Sequence, residues 1–119
     1  MKDAIKEFDA YREKMNAAIL SAQGNTVIKR IFSADTLAYK DGFLDSKTKE
    51  MLGLVASLVL RCDDCIKYHL GTCYKQGVKR EEIFEILGIA CLVGGTIVIP
   101  ATRRAVEYWQ ALEAQTEEK

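Results

Sequence analysis

The 119 residues carry 17 basic and 17 acidic side chains, so the net charge is near zero, and the length fits a single domain with a modest core. No long basic run occurs, and Arg103-Arg104 is too short for a phosphate-binding surface, so no nucleic-acid partner is expected. The opening MKDAIKEFDAYREK lacks the apolar core of a signal peptide, which points to the cytoplasm, where thiols stay reduced unless they do redox work.

Ile5, Phe8, Met15, Ile19 and Ala22 follow helical spacing, and Gly24-Asn25 ends that first helix. Val27, Ile28, Ile31 and Phe32 predict a short second amphipathic stretch that runs into a loop around Lys40-Asp41-Gly42. Asp45 or Ser46 can cap a third helix over Lys47–Leu60, because a side-chain oxygen accepts the exposed amide protons of the first turn. A fourth helix starts near Asp63 and stops at Gly77. Arg80-Glu81-Glu82 opens a fifth with negative charge where the helix dipole favours it.

The longest charge-free run, Ile86–Thr102, has 17 residues and contains Gly94, Gly95 and Pro100, so it falls short of a membrane span and reads as buried in protein. The glycine pair and Pro100 break the chain before a final helix, Ala101–Gln115. Thr96-Ile97-Val98-Ile99 is β-branched, yet no partner strand is evident. The expected fold is all-α, five to six helices in one domain spanning residues 1–119. Met51–Leu60 and Ile86–Ile99 are apolar nearly all round, more than one small domain covers readily, and this predicts a homo-oligomer.

Arg61-Cys62-Asp63-Asp64-Cys65-Ile66-Lys67-Tyr68-His69 holds the only histidine of the chain, four residues after a C-x-x-C pair. Haem attachment requires histidine directly after the second cysteine, so it fails. Zinc meets a geometric obstacle. Cys65, His69 and Cys73 follow one another at helical steps of four, which separates the outer two by roughly 12 Å along the axis, whereas zinc–sulfur bonds are about 2.3 Å. A site made of Cys62, Cys65 and His69 would need an outside ligand. A structural disulfide suits secreted, loop-rich chains better than this one. A redox dithiol at a helix start fits best, with no bound metal or other cofactor.

An ordinary thiol of pKa near 8.5 is only about 3% thiolate at pH 7. The helix terminus supplies roughly 0.3–2 kcal/mol toward the charged form. Carboxylates such as Asp63 and Asp64, about 7 Å away, oppose it by roughly 2 kcal/mol at an effective dielectric of 20. A base must therefore tip the balance, and His69 shares a helix face with Cys65. Glu50, on the third helix, is the candidate to orient that imidazole. An antiparallel fold-back leaves an axial offset of roughly 8 Å, which two side chains and one water can span.

Glu50, eleven residues, Cys62, two residues, Cys65, three residues, His69 resembles the E-x11-C-x-x-C-x3-H signature of AhpD-like alkylhydroperoxidases, within the carboxymuconolactone decarboxylase superfamily. Leu44-Asp45 with Lys49-Glu50, and Gly77 through Glu81-Glu82-Ile83, resemble the family's flanking segments, so the likeness covers about Leu44 to Ala90. The resemblance implies an all-helical subunit in trimers or hexamers, a small-molecule hydroperoxide as oxidant and a thiol or dithiol electron donor. It also implies roles: Cys65 the nucleophile, His69 its base, Glu50 the orienting carboxylate, and Cys62 the resolving thiol that closes a disulfide. The best-known members carry a second histidine between the cysteines, where this chain has Asp63-Asp64, and they are longer by a helical half. The expected function is a thiol-dependent peroxidase or a general disulfide reductase; a decarboxylase acting on a small lactone acid and a redox-sensing oligomer are the alternatives. Cys73 and Cys91 lie outside the signature and read as buried small residues.

Overall fold

The computed structural model describes residues 3–117; the outermost two residues at each end of the expected 1–119 domain lie outside the described part. Six helices follow in order: α1 (Ala4–Ser21), α2 (Thr26–Ala38), α3 (Ser46–Leu60), α4 (Asp63–Lys75), α5 (Arg80–Gly94) and, after a 3₁₀ turn at Thr96–Val98, α6 (Ile99–Glu117). The fold is all-α, and no strand occurs among the described residues.

Side chains fix several of the starts by accepting amide protons that have no partner inside the helix. Asp3 accepts from Ile5 and Lys6 at 3.0 and 3.1 Å, and Asp45 accepts from Thr48 at 2.8 Å. Hydrogen bonding from Thr48, its side chain first and its backbone amide second, holds the Asp45 carboxyl below its ordinary value. Between α1 and α2, the buried Asn25 donates from Nδ2 to the carbonyls of Ile19 and Leu20 at the end of α1, the first of which also accepts the Ala22 amide. The α3–α4 turn consists of Arg61 and Cys62 alone. Arg61 takes a left-handed conformation with φ of 59°, and the Cys62 amide closes the turn onto the Ser57 carbonyl at 3.1 Å. So short a connection sets α3 and α4 side by side.

The core is built by α3, α4, α5 and α6. Leu54, Leu58, Leu70, Cys73, Ala90 and Val98 are wholly excluded from solvent, with Ile66, Ile83, Ala101, Ala105 and Trp109 nearly so. Ile5 of α1 joins them, whereas α2 contributes no buried residue at all. Met51–Leu60 and Ile86–Ile99 are each covered on one side only. Leu60, Ile89, Leu92, Val93 and Ile97 remain more than half exposed.

The second amphipathic stretch is helical as far as Ala38 and then runs into the loop around Lys40-Asp41-Gly42, as its pattern predicts. Two expectations need correction. Pro100 does not separate the glycine pair from the last helix. It occupies the first turn of α6, where a missing amide proton costs nothing. Cys73 is buried as expected, but Cys91 is only half-buried, at the α5–α6 edge with Thr102 Oγ1 3.4 Å from its sulfur.

Burial, and after it the Glu50 charge, pushes the Cys73 thiol from 9.0 up to about 12. Burial, and then Asp9 and Asp3, pushes the Tyr108 phenol from 10.0 to about 12. Both groups keep their protons in the folded chain after the unfolded chain has lost them, so unfolding releases protons above about pH 9. Stability is therefore expected to fall as the pH climbs from about 9 towards 12. Urea midpoints across that window should decrease, and more gently in Tyr108→Phe; a profile unchanged by that substitution would exclude the Tyr108 contribution.

Candidate active site

Cys62 caps the start of α4. Its sulfur accepts the Cys65 amide at 3.2 Å and is joined to the Cys65 sulfur in a disulfide, with the two Cα atoms 5.2 Å apart. Cys65 is exposed and Cys62 half-buried, so an incoming reagent meets Cys65 first. One turn further along α4, His69 turns its ring toward α3. There Nδ1 lies 2.7 Å from Oε2 of Glu50, which is buried. A carboxylate accepts only, so Nδ1 carries the proton and Nε2 presents the lone pair. Thr72 donates from Oγ1 to the same Glu50 oxygen at 2.7 Å.

Helical rise alone leaves room for a water between Glu50 and His69, but the contact is direct. Gly53, one turn after Glu50, accounts for the difference. A Cβ at that position would lie 2.6 Å from His69 Cε1 and 2.9 Å from Nε2, so only glycine lets the imidazole sink against α3. The same hypothetical Cβ would lie 2.5 Å from the hydroxyl of Tyr39, which caps the end of α2 and stands 3.5 Å from His69 Nε2. Burial first, then the Glu50 charge, raises both Tyr39 and Tyr68 above the ordinary phenol value of 10.0, so both hydroxyls keep their protons at neutral pH.

The four residues picked from the sequence, Glu50, Cys62, Cys65 and His69, thus sit along the facing surfaces of α3 and α4. Glu50 touches His69, and Cys62 touches Cys65. No hydrogen bond joins His69 to either sulfur in this disulfide form. A cavity of about 210 Å³ opens beside them, lined by Arg12, Asp35, Asp64, Cys65, Tyr68 and His69. The two aspartates between the cysteines are not equivalent. Asp63 pairs with Arg104 of α6 at 2.9 Å, which offsets part of its repulsion toward a thiolate, while Asp64 faces the cavity.

Thr72, Gly53 and Tyr39 escaped the sequence reading. Thr72 follows His69 by three, and a glycine inside an apolar helix marks a close approach, so both left a trace. Tyr39 left none, since only the tertiary fold brings the end of α2 to α4.

The carboxymuconolactone decarboxylase family profile matches residues 25–108, well over half of the chain. The chain belongs to that family. A crystal structure of TM1620 from Thermotoga maritima superposes with a TM-score of 0.92 at 50% identity, covering 96% of this chain and 99% of that one. A second structure of TM1620 gives 0.87 at 49% identity over 94% of each chain; that protein is described as a family member with a suggested part in an antioxidative response. The family protein lpg0406 of Legionella pneumophila matches at 0.82 and 27% identity, over 93% of this chain and 98% of its own. An uncharacterized Cupriavidus necator protein is 28% identical over 109 residues, covering 92% of this chain and 88% of its own length. No helix among the described residues is long and apolar enough to cross a membrane.

Proposed function

We propose that this family member is a thiol-dependent peroxidase that reduces small organic hydroperoxides and is itself reduced by a thiol or dithiol donor. The observation that carries this reading is the Glu50–His69 pair, 2.7 Å apart and one helical turn beyond a Cys62–Cys65 disulfide. The antioxidative role suggested for TM1620 agrees with it.

In the reduced dithiol, the proton of Cys65 passes to His69 Nε2, and Glu50 stabilises the resulting imidazolium from the other side of the ring. The Cys65 thiolate attacks the peroxide. An S–O bond forms, the O–O bond breaks, and the departing alkoxide takes the proton from His69, leaving an alcohol and a sulfenic acid. Cys62 then attacks the sulfenic sulfur, the S–S bond closes and water departs with the Cys62 proton. For the return step the donor thiolate attacks the exposed Cys65. Cys62 leaves as a thiolate because the Cys65 amide that it accepts from stabilises negative charge at the helix start. A second donor thiol attacks the donor sulfur of that mixed disulfide and frees Cys65.

Turnover of cumene hydroperoxide with dithiothreitol, wild type against Cys65→Ser, tests the reading. Wild type should turn over and Cys65→Ser should not, whereas Cys62→Ser should stop at a sulfenic acid that dimedone labels. Peptide mapping after one equivalent of oxidant should find Cys62 joined to Cys65. A linkage through Cys73 or Cys91, or no turnover in wild type, would overturn it.

A further inference from the structure

We propose that Tyr39 is a positioning residue for the proton relay. Its hydroxyl holds the Nε2 edge of His69 in a niche that Gly53 keeps open, and it accepts from that nitrogen once His69 is charged. The purpose of this contact rests on the peroxidase reading above, while its existence is tested separately.

The geometry makes Nε2 the working edge of the ring. Nδ1 is committed to Glu50, so a proton taken from a thiol can reside only on Nε2. Nε2 faces the Tyr39 hydroxyl at 3.5 Å, the outer limit for a hydrogen bond. The two rings lie 5.4 Å apart between centroids at a tilt of 42°, so the hydroxyl meets the ring at an angle without stacking on it. Both atoms fill the volume that any side chain at position 53 would occupy.

A neutral imidazole accepts weakly from this phenol. An imidazolium N–H donates a charge-assisted bond that is roughly twice as strong, and contacts that are long at rest tighten on this change. Tyr39 therefore favours the charged form of His69 more than the neutral one. The other groups facing this space are Glu50 of α3, Arg12 of α1, Asp35 of α2, and Tyr68, Asp64 and Cys65 of α4. A Tyr39→Phe exchange leaves every one of them in place. It removes a single oxygen from a half-buried ring, so the fold should be retained.

Because His69 is the only histidine, its ring protons can be followed by NMR in the whole protein without ambiguity. In Tyr39→Phe, the pH at which the ring titrates should fall by roughly half a unit, the share lost with one charged hydrogen bond. Alkylation of the reduced dithiol at pH 7 should slow by about threefold, with thermal stability little changed. Gly53→Ala keeps the hydroxyl but fills its niche, and it should move the ring titration in the same direction. If both variants titrate where the wild type does, Tyr39 is packing alone and the proposal is lost. Should wild type fail to turn over peroxide while Tyr39→Phe still shifts the ring, the peroxidase reading falls and the Tyr39–His69 contact stands.

Discussion

Exchanging Glu50 for Gln should slow hydroperoxide reduction by about a hundredfold while leaving the fold intact. A glutamine oxygen placed at Oε2 can still accept from His69 Nδ1 and from Thr72 Oγ1, so both hydrogen bonds survive. What disappears is the charge that makes an imidazolium favourable beside it, and with that the drive to take a proton from Cys65. Glu50→Ala goes further. Thr72 has an alternative acceptor in the His69 carbonyl at 3.0 Å, but the Nδ1–H loses its partner in a site largely closed to water. One unsatisfied donor of that kind costs about 1–3 kcal/mol, equivalent to a drop of roughly 4–12 °C in Tm for a domain of this size. The two variants thus separate chemistry from architecture. Peroxide kcat/KM and thermal melts measured side by side provide the check. A Gln variant with wild-type kcat/KM would remove the carboxylate from the relay, and equal thermal losses in both variants would make its role structural.

Wild-type protein at micromolar concentration should elute as a homo-oligomer, a trimer or hexamer at three or six times 13.3 kDa, and Leu92→Asp with Ile97→Asp should drive it towards monomer. The reason is an apolar surface that the chain does not cover. The C-terminal ends of α3 and α5 lie together, with Val59 against Gly94, and Leu60, Leu92, Val93 and Ile97 project outward from that end. Val27, Ile31 and Leu37 of α2 are likewise more than half exposed. The Cα radius of gyration is 15.2 Å, against about 13.5 Å for a chain of this length folded tightly on itself. About 1,000 Å² of apolar area buried between copies contributes roughly 25 kcal/mol gross, and association entropy with side-chain ordering offsets only part of it. The substituted side chains add nothing to the buried core, so the variant should keep its helical circular dichroism. Light scattering coupled to size-exclusion chromatography decides between the outcomes. A monodisperse wild-type monomer with normal thermal stability would mean that solvent alone covers this face.

The sequence by itself determined the helices and much of the candidate site. Caps and breakers are local, so Asp45 ahead of α3, Glu81-Glu82 in the first turn of α5 and Gly77 after α4 could be read from their neighbours alone. A spacing of three or four residues on one helix is also local, which is why Cys62, Cys65 and His69 could be grouped before any fold was known. The reach from Glu50 to His69 could be bounded by helical rise but not resolved, because it depends on how closely two helices pack. Tertiary structure decided that distance through Gly53, whose missing side chain admits the imidazole to the surface of α3. It also decided that Arg104 answers Asp63, 41 residues away, and that Tyr39 meets His69 from a helix that buries nothing of its own. Such contacts join residues with no shared periodicity, so no pattern along the chain announces them; they exist only once the packing of α3, α4 and α6 has fixed where each side chain can go.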